Sequence, residues 1–279
     1  MPALEGPGAV EQLLVRNTYR TLILGSHVLH YHGVVDAYGH LSARHPLKPD
    51  VFIMSRNMPP ATVASDRDLV EYNVSDASPV DPSAPRGYLE RCIHSEIYKK
   101  YPKINSVIHS HSHAVVPFTV SAVQLRPCFH MAGFLGHSTP IFDIAKHYQS
   151  DDLQDLLIRN TRLGEALASH FSSSDTTGNQ EAQQAVVLMR GHGFTTVAAS
   201  PEECVFRAIY TQDNAAIQTT SLALNAGLPE SARAESGGIH FLSETEVAAT
   251  TDMGQSAWTR AWSLWVREVQ ANSLYVIDA

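Results

Sequence analysis

The segment SVIHSHSHAVV, residues 106–116, sets His109, His111 and His113 at alternate positions inside an apolar run. Alternate residues of a strand point to one face, so on a strand the three imidazoles start out side by side. Imidazole nitrogens are ligands for divalent transition metals, and a His-rich site with one open position is what metal-assisted catalysis requires. A further imidazole is available from His192, which sits in Gly191-His192-Gly193 after the apolar run AVVLMR. Its small neighbours let a ligand or an ion come close to the backbone. Three adjacent ligands from one strand crowd a tetrahedral ion, so the expected metal set is His109, His111 and His192, with His113 outside it. Glu90 lies shortly before the histidine run, on an expected helix where Glu90 and His94, four apart, share a face. A carboxylate beside an open metal position can act as general base. The competing reading of Glu90 is a solvated helix charge paired with Arg86 or Arg91.

These groups need elements to hold them. Apolar residues at Val10, Leu13, Leu14, Leu22, Ile23 and Leu24 follow a helical period and predict an opening helix over 10–32. GVVDAYGHLSARH and VFIMS read as turns and strands, and residues 56–85 as a proline-rich run of Asp-initiated turns. RGYLERCIHSEIYKKYP reads as a helix with Leu89, Ile93, Ile97 and Tyr101 on one side, ended by Pro102. A helix is expected at about 151–171, a surface loop at 172–183 and a buried strand at 185–190. A long helix then opens at Ser200-Pro201-Glu202-Glu203, and Trp258, Trp262 and Trp265, spaced by four and three, mark a packing helix. The 279 residues are read as a single domain, a core over about 12–225 followed by a helical extension over 226–279.

With 20 Lys+Arg against 28 Asp+Glu the formal charge is −8, and no block of like charge suggests a nucleic-acid or anionic membrane partner. Cys92, Cys128 and Cys204 are far apart and show no CxxC spacing, so they read as buried thiols in a reducing compartment. MPALEGPGAVEQLL has no basic n-region, and no apolar run approaches the ~18 residues of a membrane helix, so a cytoplasmic protein is expected.

Glu90, a histidine four residues on, Ile97-Tyr98, Pro102, VIHSH, and a distant GHG leading into a Ser-Pro-Glu-Glu helix together resemble the class II aldolase/adducin family. The resemblance spans about residues 12–225. It implies an α/β fold, a three-layer α/β/α sandwich around a mostly antiparallel sheet. It also implies a homotetramer with sites near subunit interfaces, a divalent metal (zinc first, with Mn, Co, Fe or Mg as alternatives) on His109, His111 and His192, and Glu90 as the acid/base. C-terminal tails reach a neighbour's site in this family, which makes Tyr275 a further candidate.

The chain departs from the sugar-phosphate aldolases of the family at two places. Their Gly-Asn-x-Ser reads Gly39-His40-Leu41-Ser42 here, and their Ser-Ser pair before the glutamate reads Tyr88-Leu89, which removes short hydroxyl donors for a phosphate. YGHLSARHP, YLERCIHSEIY, HSHSHAVVPF and LRPCFHMAGFLG resemble instead the branch that decarboxylates hydroxylated aromatic or muconate-type carboxylates. On that resemblance the substrate is a small carboxylate, Glu90 and His40 are catalytic, and His130, Ser42 and Tyr88 contact substrate, with Arg126 and Arg44 as weaker carboxylate-binding candidates. A retro-aldolase or another lyase or isomerase on a non-phosphorylated metabolite stands as the alternative, and a non-catalytic scaffold as a third reading.

Overall fold

Helix α1 runs from Pro7 to Tyr31 and buries Leu22, Leu24, Val28 and Leu29 in its second half. The computed structural model describes residues 7–172 and 181–278. After α1, Gly39 takes a φ of +86°, where a side chain would press on Val35 and on the carbonyl of His109, and the chain turns into the sheet. The strands are β1 (His40–Arg44), β2 (Val51–Ser55), β3 (Leu69–Asn73), β4 (Ser106–Ser110), β5 (Ile141–Phe142), β6 (Val186–Met189) and β7 (Gly193–Ala198). The remaining helices are α2 (Arg91–Lys100), α3 (Val116–Val120), α4 (Thr161–Ala168), α5 (Pro201–Ala226), α6 (Glu230–Ser236) and α7 (Glu244–Gln270).

The strands form one sheet in the order β3-β2-β1-β4-β7-β6-β5, antiparallel except for the parallel β5–β6 pair. Strand side chains alternate between faces. Leu41, Ala43, Ile108, Leu188 and Phe194 meet α1, α5 and α7 on one face, while Phe52, Met54, Val107, Val187 and Val197 meet α2 and α4 on the other. The result is the three-layer α/β/α sandwich expected from the family resemblance. Trp265 is buried, and Trp258 and Trp262 pack against the same core, so the tryptophan face of α7 is used within the protomer.

Several local expectations are corrected. The proline-rich run 56–85 contains β3, whose alternation Leu69-Val70-Glu71-Tyr72-Asn73 buries Val70 and Tyr72. Residues 151–160 are not helical. Asp152 accepts from the N–H of Gln149, Asp155 from that of Leu157, and Asn160 caps α4 by accepting from Leu163, so side-chain oxygens take the amides a longer helix would need. The residues 173–180 of the expected surface loop lie outside the described residues. Cys92 and Cys204 are buried free thiols, but Cys128 is only partly covered. Among the described residues no helix is long and apolar enough to cross a membrane.

Candidate active site

The register of three strands assembles the floor of the site. His40 of β1 stands opposite His109 of β4, and His109 stands opposite Thr195 of β7. All three side chains leave the sheet on the α2 side, where directly opposed Cβ atoms approach within about 5 Å. β4 ends at Ser110, so His111 and His113 lie beyond the strand, and the strand alternation reaches only the first of the three histidines. His113 is exposed; His111 turns toward His109 with Nε2 atoms 3.0 Å apart.

His192 arrives from the hairpin between β6 and β7, its Nε2 also 3.0 Å from that of His111. That approach depends on Gly193, where a Cβ would stand 2.0 Å from the carbonyl oxygen of Ser110 at a φ of +154°. A Gly193→Ala substitution is therefore expected to lower unfolding free energy by about 2–4 kcal/mol in denaturant titrations, because backbone rather than a flexible side chain must move. An unchanged denaturation midpoint would contradict this account of the hairpin.

Sequence places Glu90 inside a helix, but it stands at the residue just before α2, with φ −87° and ψ 17° and no side-chain bond to the helix amides. The same boundary leaves Leu89 exposed rather than on the core face of α2. Glu90 Oε1 accepts from the backbone N–H of Ile158, 2.9 Å away, so the irregular segment 151–160 holds the carboxylate. Oε2 is left 3.6 Å from His109 Nε2 and 3.5 Å from His192 Nε2. The competing pairing with Arg86 or Arg91 does not form, since Arg91 donates to the carbonyls of Ala77 and Tyr88 and Glu90 is buried.

Ligand atoms of Glu90, His109, His111 and His192 all lie within 4.8 Å of one another. Burial, followed by repulsion from the neighbouring imidazoles, holds His109 well below the usual histidine range, and burial likewise lowers His111. Imidazole Nε2 atoms that converge cannot all donate to one another, and imidazole nitrogens gathered beside a carboxylate are a donor set that fits a divalent cation. Thr195 Oγ1 lies 3.4 Å from His109 Nδ1 and can accept its proton, which turns the Nε2 lone pair toward the cluster.

Residues 20–219 match the family described as Class II Aldolase and Adducin N-terminal domain. The chain belongs to the class II aldolase and adducin family. Within it, the chain is 54% identical over 256 residues to Decarboxylase tropJ of Talaromyces stipitatus, covering 92% of this chain and 95% of that protein. A 3,4-dihydroxyphthalate decarboxylase of Arthrobacter keyseri is 27% identical over 211 residues, 72% of this chain and 71% of its own. Among solved structures, an aldolase II superfamily protein from Pseudomonas syringae superposes with a TM-score of 0.71 at 18% identity, over 95% of this chain and 96% of its own. L-fuculose 1-phosphate aldolase from Glaciozyma antarctica does so at 0.67 and 17%, over 99% and 96%. At such identities the likeness is one of fold.

This class II aldolase-family site gathers some of the expected substrate residues and not others. The His40 ring lies 5.2 Å from that of His109 and 4.7 Å from that of Tyr88, centroid to centroid. Tyr88 is oriented by hydrogen bonds to the carbonyl of Met58 and to Ser55 Oγ. Ser42 is fully buried beneath this layer, its hydroxyl bonded to His94 Nδ1 and Tyr98. Arg44 is spent on the carbonyls of Pro49, Tyr98, Tyr101 and Ile104. Arg126 stacks over Phe241 and the exposed His130 packs against Phe129, so neither is brought to the cluster in the protomer. Tyr275 is buried against α1, donating to or accepting from His30 Nδ1 at 2.9 Å, which places it in its own protomer's core.

Residues unremarked in the sequence line the approach to His111. A cavity of about 270 Å³ is bordered by Val35, Asp36, His111, Ser112, His113 and Gln212. Tyr38, two-thirds exposed, holds its ring 6.5 Å from that of His111. A larger cavity of about 820 Å³ between α1 and the C-terminal residues contains none of the clustered imidazoles. Gln212 had no sequence signal, because only the packing of α5 on the segment after β4 brings its Oε1 to Ser112.

Proposed function

We propose that this protein is a divalent-metal-dependent decarboxylase of a hydroxylated aromatic or muconate-type carboxylic acid. The observation that carries the proposal is the convergence of three imidazole Nε2 atoms and the Glu90 carboxylate at one point of the sheet. The decarboxylase names of its relatives supply the reaction class. His109, His111 and His192 would hold the metal, with zinc favoured by an imidazole donor set. A bound divalent cation supplies positive charge that polarises a substrate hydroxyl or keto oxygen and favours electron density moving onto it.

The chain's own groups account for the rest. Glu90 Oε2 is free to take the proton of the substrate hydroxyl while Oε1 stays fixed on Ile158. The charge left on that hydroxyl oxygen is pushed onto the carbon that bears the carboxylate, which takes the proton back from Glu90; the bond to the carboxyl carbon then breaks, its electron pair returns through the ring or chain to the same oxygen, and CO₂ leaves. His40, buried beside His109 and Tyr88, stabilises the oxyanion by hydrogen bonding. His40→Asn, which restores the residue of the sugar-phosphate aldolases, is expected to lower CO₂ release by about tenfold or more with metal content unchanged. A wild-type rate in that variant removes His40 from the reaction.

The direct test of the proposal is metal analysis of the purified protein followed by a screen of ortho-hydroxy carboxylic acids for CO₂ release. Release of CO₂ from a member of that class supports it; aldehyde formation without CO₂ moves the chain to the aldol reaction. The protein is further proposed to act in the cytoplasm as a homotetramer, on the pattern of its family. Light scattering at micromolar concentration is expected to give a four-chain mass, and a monomer would refute the assembly.

A further inference from the structure

Behind His40 runs a chain of buried polar groups that the proposed reaction does not use directly. His40 Nδ1 lies 2.7 Å from His94 Nε2, His94 Nδ1 lies 2.6 Å from Ser42 Oγ, and Ser42 Oγ lies 2.7 Å from the hydroxyl of Tyr98. Ser42, His94 and Tyr98 are sealed from solvent, at 1% exposure or less. The four residues come from two elements, β1 and α2, that meet only in the folded protein.

Each link has one proton and two ways to point, and the chain's end decides which. The Tyr98 hydroxyl meets no carbonyl or carboxylate acceptor among the described residues; its side-chain partner is Ser42, and the backbone N–H of Val107, itself a donor, faces the same oxygen. If Ser42 donated to Tyr98, the phenol proton would be buried without an acceptor, which is costly. With Tyr98 donating, each proton on the three links between these residues finds an acceptor. Ser42 then donates to His94 Nδ1, and His94 donates from Nε2 to His40 Nδ1. His40 is left as the tautomer that carries its proton on Nε2, the ring nitrogen turned away from His94.

We propose that Tyr98, Ser42 and His94 are positioning residues that fix His40 as a one-way hydrogen-bond donor to the oxyanion or carboxylate of the substrate. The opposite tautomer would present a lone pair to an anion and repel it. The chain orients and does not export a proton, because full delivery would leave a buried phenolate, and burial pushes the Tyr98 phenol far above its usual range. The donor role of His40 rests on the decarboxylase reading; the direction of the chain does not.

Neutron diffraction from crystals of the metal-loaded protein grown in D₂O tests the direction without reference to activity. Deuterium is expected on Nε2 and not Nδ1 of both His40 and His94, and on Tyr98 pointing at Ser42. Deuterium on Nδ1 of His94 overturns the proposal, even if CO₂ release is found. Kinetics test the consequence: Ser42→Ala should lower kcat by about tenfold or more, the equivalent of one directed hydrogen bond, with metal content and KM little changed. Ser42→Thr, which keeps the hydroxyl, should return kcat to within about threefold of wild type. Equal rates in Ser42→Ala and wild type, or Ser42→Thr folding with bound metal yet as slow as Ser42→Ala, reject the positioning role. An inactive wild type in the substrate screen, combined with the expected deuterium pattern, rejects the decarboxylase reading and leaves the chain in place.

Discussion

Glu90→Gln is expected to lower turnover by about 10²–10⁴-fold, the range lost when a positioned acid/base is removed, while the protein stays folded and keeps its metal. The amide oxygen can still accept from the N–H of Ile158, so the side chain keeps its anchor and only the titratable oxygen facing His109 and His192 is lost. Steady-state CO₂ release, with metal content and circular dichroism measured on the same sample, reads the effect. Turnover within about threefold of wild type would discard the role given to Glu90.

His111→Ala combined with His192→Ala should abolish stoichiometric metal binding and, with it, turnover. These two imidazoles sit outside the core of the sheet, one past the end of β4 and one on the β6–β7 hairpin, so their truncation opens space near the surface and not a sealed cavity. Fold stability in the metal-free state should therefore change little, by about 1 kcal/mol. His109 is a poorer choice for this test because it is fully buried at the centre of the sheet, where truncation would destabilise the fold as well. Retention of one metal per chain in the double variant, measured by elemental analysis after dialysis, would place the ion elsewhere.

Local pattern in the sequence sufficed for α1, the end of α2, β4, β6 and α5, whose apolar periods, Pro102 and the Ser200-Pro201 cap are signals carried by neighbouring residues. The residue types of the metal cluster were legible too: imidazoles at 109, 111 and 192 and a carboxylate at 90 are a recognisable ligand set whatever their arrangement. Even the layers followed, because the combination of motifs matched one family.

Other features were decided only when distant segments met. The opposition of His40 to His109 is a matter of strand register between residues 69 apart, which no local pattern encodes. The helix expected over 151–171 shrank to α4 because Asp152, Asp155 and Asn160 bind backbone amides, and the freed N–H of Ile158 became the anchor of Glu90. Ser42, expected from the resemblance to contact substrate, and Arg44, a weaker carboxylate candidate, satisfy buried partners in the structure, since a polar side chain inside a packed layer must spend its hydrogen bonds there. Residue chemistry is thus written in the order of the chain, whereas which of two partners a polar group serves is settled by packing, through the high cost of leaving the other unpaired.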